Sequence, residues 1–81
     1  MVSFKVKVGE QVRGDLLSVP FPFRRQLNQK MMALRQNPRP AGCVELSSSK
    51  CFLDVHGWRL VYNVNDDASA IGIIAILKIE D

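Results

Sequence analysis

Two apolar segments joined by a two-residue connection constrain the fold of this sequence more than any other feature. The segments are residues 51–55 and 58–64, and His56 and Gly57 stand between them. A connection this short requires positive φ angles, which glycine adopts freely and histidine tolerates. The pattern therefore predicts a tight β-hairpin turning at His56-Gly57.

The hairpin fixes the register of its strands, because a slip of one residue would turn every side chain to the opposite face. The predicted pairs are Val55 with Trp58, Asp54 with Arg59, Leu53 with Leu60, Phe52 with Val61, and Cys51 with Tyr62. One face is then apolar throughout, and Tyr62 is expected to lie in the core. Asp54 and Arg59 share the other face, where opposite charges on paired residues attract.

The rest of the chain divides into elements by the period of its apolar residues. Residues 2–8 alternate apolar and polar, which predicts a strand with one solvated face. Apolar residues then recur at spacings of three and four, which predicts two short helices separated by Pro20. The core-facing residues of these helices are Val8, Val12, Leu16 and Val19, then Phe23, Leu27, Met31 and Leu34. Pro22 fits the first turn of the second helix.

After the second helix, the prolines and glycine of residues 37–42 predict a turn that cannot continue the helix. Residues 71–78 form a strand that is apolar on both faces and is expected to lie inside the sheet. The expectation is an α+β fold of order β-α-α-β-β-β: an N-terminal strand, a helical hairpin and a three-stranded antiparallel sheet. With 81 residues, the chain forms one domain, 1–81.

Composition excludes several classes of protein. The chain is 47% hydrophobic and 23% charged, which predicts a packed globule. Cys43, Cys51 and His56 cannot form a four-ligand zinc site, so we expect no metal and no cofactor. The longest apolar run, residues 68–77, is about half the length that spans a bilayer. Without a signal peptide or membrane segment, a cytoplasmic location is expected.

Positive charge is concentrated in the first half of the chain. Residues 1–42 hold eight Lys and Arg against two acids, whereas residues 43–81 hold three against six. Such asymmetry favours binding to RNA or to an acidic partner, although a solvated helix face has the same composition. The candidate residues for contacts to phosphates or to a partner are Arg24, Arg25, Lys30, Arg35, Arg39 and Lys50.

Three local motifs occur in an order known from one family. They are Leu34-x-x-Asn37-Pro38-Arg39-Pro40, the downstream Leu46, and the strand 57–62, Gly-Trp-Arg-Leu-Val-Tyr. Over nearly the whole chain, this order resembles the RelE/ParE toxins of bacterial toxin-antitoxin pairs. The resemblance implies metal-free cleavage of mRNA on the ribosome, or poisoning of DNA gyrase as in the ParE branch. It also implies a cognate antitoxin as partner.

The resemblance assigns two residues to catalysis. Arg59 matches the arginine of the family's third strand, and Lys78 lies near the basic residue that ends its last strand. His56 is a third candidate, since an imidazole is suited to acid-base catalysis near neutral pH. A histidine that only forms the turn is the alternative.

The chain departs from the nuclease pattern at several positions. Phe52 and Asp54 replace basic residues, Glu45 stands at a position that is often basic, and Asp81 ends the sequence before the family's frequent catalytic tyrosine. Asp54 would pair with Arg59 and would repel phosphates. A weakened nuclease is therefore expected, with a gyrase-directed or non-catalytic protein-binding member of the same fold, or a small homodimer, as alternatives.

Overall fold

The computed structural model describes residues 3–80 and contains two helices and five strands. These are β1 Lys5–Val8, α1 Glu10–Ser18, α2 Phe21–Ala33, β2 Val44–Glu45, β3 Lys50–Val55, β4 Trp58–Asn65 and β5 Ala70–Lys78. The predicted α+β class and element order are confirmed, and the two-residue β2 is an addition to them. Val2, which was predicted to start the first strand, lies outside the described residues.

The five strands form one sheet in the order β1-β5-β4-β3-β2. Strand β1 pairs with β5 in parallel, whereas the other neighbours are antiparallel. The parallel pair needs a long crossover, and the two helices form part of it. Strand β5 lies between β1 and β4, so its predicted place inside the sheet is confirmed.

The β3–β4 hairpin has the predicted register at every pair from Cys51–Tyr62 to Val55–Trp58. His56 and Gly57 have φ angles of 48° and 86°, the positive values that this type of two-residue turn requires. The turn chemistry alone was therefore enough to place both faces of these strands.

A bulge in β5 changes which of its side chains face the core. Val61 pairs with Ala75 and Tyr62 with Ile73, so Ile74 is an extra residue with no partner across the ladder. Ile74 and Leu77 are 44% and 51% exposed. The apolar residues on the second face of β5 are therefore exposed, because no layer of the described residues covers that face.

The core lies between the two helices and one face of the sheet. Its buried members include Val12, Leu16, Val19, Leu27, Met31, Leu34, Cys51, Leu53, Val55, Leu60, Tyr62, Val64, Ile71, Ile73 and Ile76. Trp58 is only half-buried, and Phe23, predicted to face the core, is 39% exposed. We call the sheet face that packs on the helices the inner face, and the opposite one the outer face.

Tyr62 connects the proline-rich turn to the sheet through a hydrogen bond. Its ring is fully buried, and its hydroxyl donates a hydrogen bond of 2.7 Å to the carbonyl of Pro38. Burial is the main reason that the pKa of Tyr62 is raised well above its usual value. The prediction that this tyrosine is structural is consistent with both observations. Neither helix of the described residues is long and apolar enough to cross a membrane.

Candidate functional site

Arg59 lies on the outer face, where two neighbouring side chains contact it. Its guanidinium makes two hydrogen bonds to the carboxylate of Asp54, with Nε to Oδ1 at 2.8 Å and Nη2 to Oδ2 at 3.2 Å. The Cζ atom also lies 4.1 Å from the centroid of the Phe52 ring, which is a cation–π distance. The predicted pair of Asp54 and Arg59 is therefore present, with an aromatic contact that the sequence analysis did not foresee.

The pair remains accessible to solvent. The side chains of Arg59 and Asp54 are 39% and 46% exposed. The hydrogen bond from Arg59 is the main reason that the pKa of Asp54 is lowered. Since solvent screens an exposed ion pair, Arg59 is restrained by Asp54 but still reachable by a ligand.

Strand β1 contributes two further cations to the outer face. Lys5 pairs with Ala70 and Lys7 with Gly72, and both lysines are exposed, while the alternate residues Val6 and Val8 pack on the core. Their alternation was recognised in the sequence. Their place in the site was missed, because it depends on β1 pairing beside β5.

The outer face as a whole carries more cations than anions. Among the described strand residues on this face, the cations are Lys5, Lys7, Lys50 and Arg59, and the one carboxylate is Asp54. The strip of β5 between them has the small residues Ala70, Gly72 and Ala75, and a Cβ added at Gly72 would have no atom within 4 Å. This low, open strip flanked by cations could admit a polyanion chain.

Lys78 lies on the other side of the sheet from Arg59. It pairs with Trp58, whose side chain belongs to the inner face, whereas Arg59 pairs with Leu77. Without the bulge at Ile74, the alternation of β5 would have placed Lys78 on the outer face. The two residues that the resemblance assigned to catalysis are therefore not brought together, and a joint role for them stays a prediction without geometric support.

His56 is exposed at the tip of the β3–β4 hairpin. Within residues 3–80 its side chain has no hydrogen-bond partner. The amide of Ile79 donates to the carbonyl of Gly57 at 2.8 Å, so the end of β5 lies beside this turn. His56 and Lys78 are thus near the same end of the sheet, and the catalytic role of His56 remains a prediction.

Two of the six predicted binding residues are engaged within the chain. Arg24 donates to the carbonyls of Leu17 and Val19 at the carboxyl end of α1, at 2.9–3.3 Å. Arg39 makes two hydrogen bonds to Asp66, at 3.2 and 3.1 Å, and lies 3.4 Å from Glu45. Both therefore have structural partners, which the charge count could not reveal.

The other four differ in position. Lys50 lies on the outer face, and the remaining three, Arg25, Lys30 and Arg35, are exposed on or just after α2. None of those three has a carboxylate of the described chain within 4.0 Å. The predicted basic residues thus divide between two surfaces that lie on opposite sides of the sheet.

Neither cysteine takes part in these surfaces. Cys51 is buried and Cys43 half-buried, and both are free thiols. Burial is the main reason that the pKa of Cys51 is raised, which disfavours its reactive thiolate. In the part of the chain that the structure describes, no three His, Cys, Asp or Glu side chains are grouped as a metal site would need.

The fold of this chain is similar to that of several solved structures. The isolated E. coli RelE toxin superposes with a TM-score of 0.84 at 21% identity, over 98% of this chain and 87% of that chain. The chain has the RelE fold. No protein-family model and no curated protein sequence matches it.

Complexes of RelE proteins are equally similar. The archaeal RelE-RelB complex from Pyrococcus horikoshii gives a TM-score of 0.83 at 21% identity, covering 95% of this chain and 96% of that one. The toxin-antitoxin complex RelBE2 from Mycobacterium tuberculosis gives 0.82 at 17%, covering 95% and 99%. The RelE fold thus accounts for nearly the full length of both chains in each comparison.

Proposed function

We propose that this chain is the toxin of a toxin-antitoxin pair and binds messenger RNA on the ribosome through its outer face. Proteins of the same fold are described as RelE toxins and are found in complexes with RelB antitoxins. The observation that carries the proposal is the outer face itself, on which four cations surround a strip of small residues. Lysine and arginine side chains contact backbone phosphates, which is the sequence-independent part of RNA binding.

Cleavage by this chain is proposed to be weak. Attack by a 2′-hydroxyl needs a base for its proton, cations for the phosphorane and an acid for the leaving oxygen. Lys5, Lys7, Lys50 and Arg59 suit the second task. Because Asp54 occupies the hydrogen-bonding edge of Arg59, it lowers the positive potential where a phosphate would bind.

A purified-ribosome cleavage assay tests the nuclease activity. We expect slow, concentration-dependent cleavage of ribosome-bound mRNA, and less of it for an Arg59→Ala variant than for a matched Arg13→Ala variant on α1. An active RelE serves as the positive control. Intact mRNA at every concentration, with the control active, would refute nuclease activity while leaving RNA binding to be measured separately.

A second candidate function is a binding protein of the same fold without nuclease activity. The Asp54–Arg59 pair favours it, because a gyrase-directed or purely protein-binding member does not require a free cation there. Inhibition of gyrase supercoiling, with no effect on translation in a purified system, would support this candidate over the first. An antitoxin partner is common to both.

Self-association is a third candidate. The exposed Ile74 and Leu77 form an apolar part of the outer face next to Arg59. Sedimentation at several concentrations would detect a dimer, and Leu77→Ser should dissociate it if this face forms the contact.

A further inference from the structure

Contacts within the chain leave only part of the Arg59 guanidinium open to a ligand. Nε and Nη2 donate to the carboxylate of Asp54, at 2.8 and 3.2 Å, which occupies one edge of the planar group. The Cζ atom lies over the Phe52 ring, 4.1 Å from its centroid, so the ring covers one face of the plane. The opposite face and Nη1 remain open, because the side chain is exposed.

Apolar side chains lie on both sides of Arg59. Strand β4 lies between β3 and β5, so Phe52 flanks Arg59 on one side and Leu77 flanks it on the other. Leu77 is paired with Arg59 and exposed, whereas Phe52 is half-buried. We call the side chains of Phe52, Arg59 and Leu77 the Arg59 platform. It combines a planar cation with apolar neighbours on the outer face.

The open part of Arg59 suits a flat ring better than a phosphate. Phosphates bind arginine best with two hydrogen bonds along an edge of the guanidinium, and Asp54 already occupies the edge formed by Nε and Nη2. Nucleobases instead stack on guanidinium planes and on aromatic rings. The contact with Phe52 restrains the plane before a ligand arrives, which lowers the entropy cost of stacking.

We propose that Arg59 stacks a base of the RNA strand on the face of its guanidinium that points away from Phe52. The base also contacts Leu77, and a purine is preferred because it covers more of the Arg59 platform than a pyrimidine does. Phe52 and Asp54 are positioning residues that hold the plane. The inference rests on the proposed function for its ligand, a single strand of RNA on the outer face.

The lysines of the outer face lie far enough away to hold the backbone of the same strand. Lys50 pairs with Asn63, which is four residues from Arg59 along β4, or roughly 13 Å. Lys7 and Asn63 both pair with Gly72, from its two sides. The affinity for RNA therefore has two contributions, a salt-dependent one from phosphates at the lysines and a base-dependent one from stacking on Arg59.

The test compares oligoadenylate of about six nucleotides with the same ribose-phosphate chain without bases. Fluorescence anisotropy with the whole chain measures both affinities. We expect oligoadenylate to bind about tenfold more tightly than the abasic oligomer, the effect of one stacked base, and oligouridine to lie between them. The ratio of the two affinities should persist at about 0.5 M KCl, where phosphate contacts are weak. In methyl NMR spectra, the ring current of adenine should shift the Leu77 methyl signals, and the abasic oligomer should not.

Variants that preserve charge separate stacking from phosphate binding. Arg59→Lys keeps the charge but has no plane, so the tenfold ratio should fall below about threefold while the affinity for the abasic oligomer changes little. Arg13→Lys, at an exposed position of α1, is the matched control and should keep the ratio. Phe52→Leu should lower the ratio and Phe52→Tyr should keep it, because tyrosine retains the ring. Lys7→Ala should weaken both oligomers equally.

Several outcomes would overturn the proposal. These are equal binding of oligoadenylate and the abasic oligomer, an adenine preference that Arg59→Lys leaves unchanged, or Leu77 methyl signals that adenine does not shift. A stable dimer that excludes both oligomers and that Leu77→Ser dissociates would assign the Arg59 platform to a second copy.

The proposed function can fail separately. If both oligomers bind equally, the outer face still binds RNA and only the stacking role of Arg59 is refuted. If neither oligomer binds at about 1 mM, RNA binding by the outer face is refuted together with stacking. Adenine-dependent binding by a chain that leaves ribosome-bound mRNA intact would support stacking and refute the nuclease activity.

Discussion

Replacing Asp54 by asparagine should increase the affinity of the chain for single-stranded RNA. The substitution nearly preserves shape and leaves the Phe52 contact of Arg59 in place, but it removes the only carboxylate among the described strand residues of the outer face. The guanidinium of Arg59 loses its charged partner and becomes available to a phosphate. The pair is exposed, so the thermal midpoint should change little.

The expected gain in affinity for RNA has two contributions. A carboxylate about 6 Å from a phosphate in water repels it by about 0.7 kcal/mol, or about threefold in affinity, and physiological salt reduces this by about half. Release of Arg59 adds one charge-assisted contact to a phosphate. Together they predict that the affinity for RNA increases by about three- to tenfold at low salt. The plot of log affinity against log salt concentration should also become steeper by about 0.7 for a single strand.

The assay is fluorescence anisotropy with a short oligouridine RNA over a series of KCl concentrations. Asp15→Asn is the matched control, because Asp15 is an exposed carboxylate on α1, on the helical side of the sheet. A change common to both variants would reflect net charge alone. Unchanged or weaker binding by Asp54→Asn, or an unchanged salt slope, would contradict the placement of the RNA site on the outer face.

The remaining predictions concern stability. Tyr62→Phe should lower the free energy of unfolding by about 1–2 kcal/mol in urea melts, since it leaves the Pro38 carbonyl without its donor. The raised pKa of Tyr62 is above its unfolded value of 10.0, so its stabilisation is complete below pH 10 and is lost as pH rises further. The difference in free energy of unfolding between the unmodified chain and Tyr62→Phe should therefore decrease in melts above pH 10. A difference that stays constant would count against burial of the hydroxyl. Gly57→Ala should cost about 1 kcal/mol because φ is 86°, whereas Gly14→Ala, inside α1 with open space around it, should stabilise by about 0.5–1 kcal/mol in the same melts.

The hairpin shows why part of this fold could be predicted from the sequence. Its register is set by a two-residue turn and by alternation within 15 residues, both of which are local properties. The Asp54–Arg59 pair and the burial of Tyr62 follow from that register alone. For the same reason, the inner face was assigned correctly along both strands.

The features that were missed depend on distant or irregular contacts. Lys5 and Lys7 join the site because β1 pairs in parallel with β5, some 65 residues later, and no local pattern specifies such a pairing. The bulge at Ile74 lies within a run of apolar residues, where either face could be buried, so alternation could not reveal it. That one extra residue decides the side on which Lys78 lies.

The chemistry open to the outer face follows from these positions. Charged lysine and arginine side chains donate hydrogen bonds and stabilise a developing negative charge, but they cannot accept the proton of a 2′-hydroxyl. Asp54 is the one carboxylate among the described strand residues there, and its lowered pKa makes it a weak base. His56 lies at the hairpin tip rather than among the cations. A face that presents cations but no well-placed base fits the proposal of a toxin that binds mRNA and cleaves it slowly. A cleavage rate equal to that of an active RelE would contradict this reasoning.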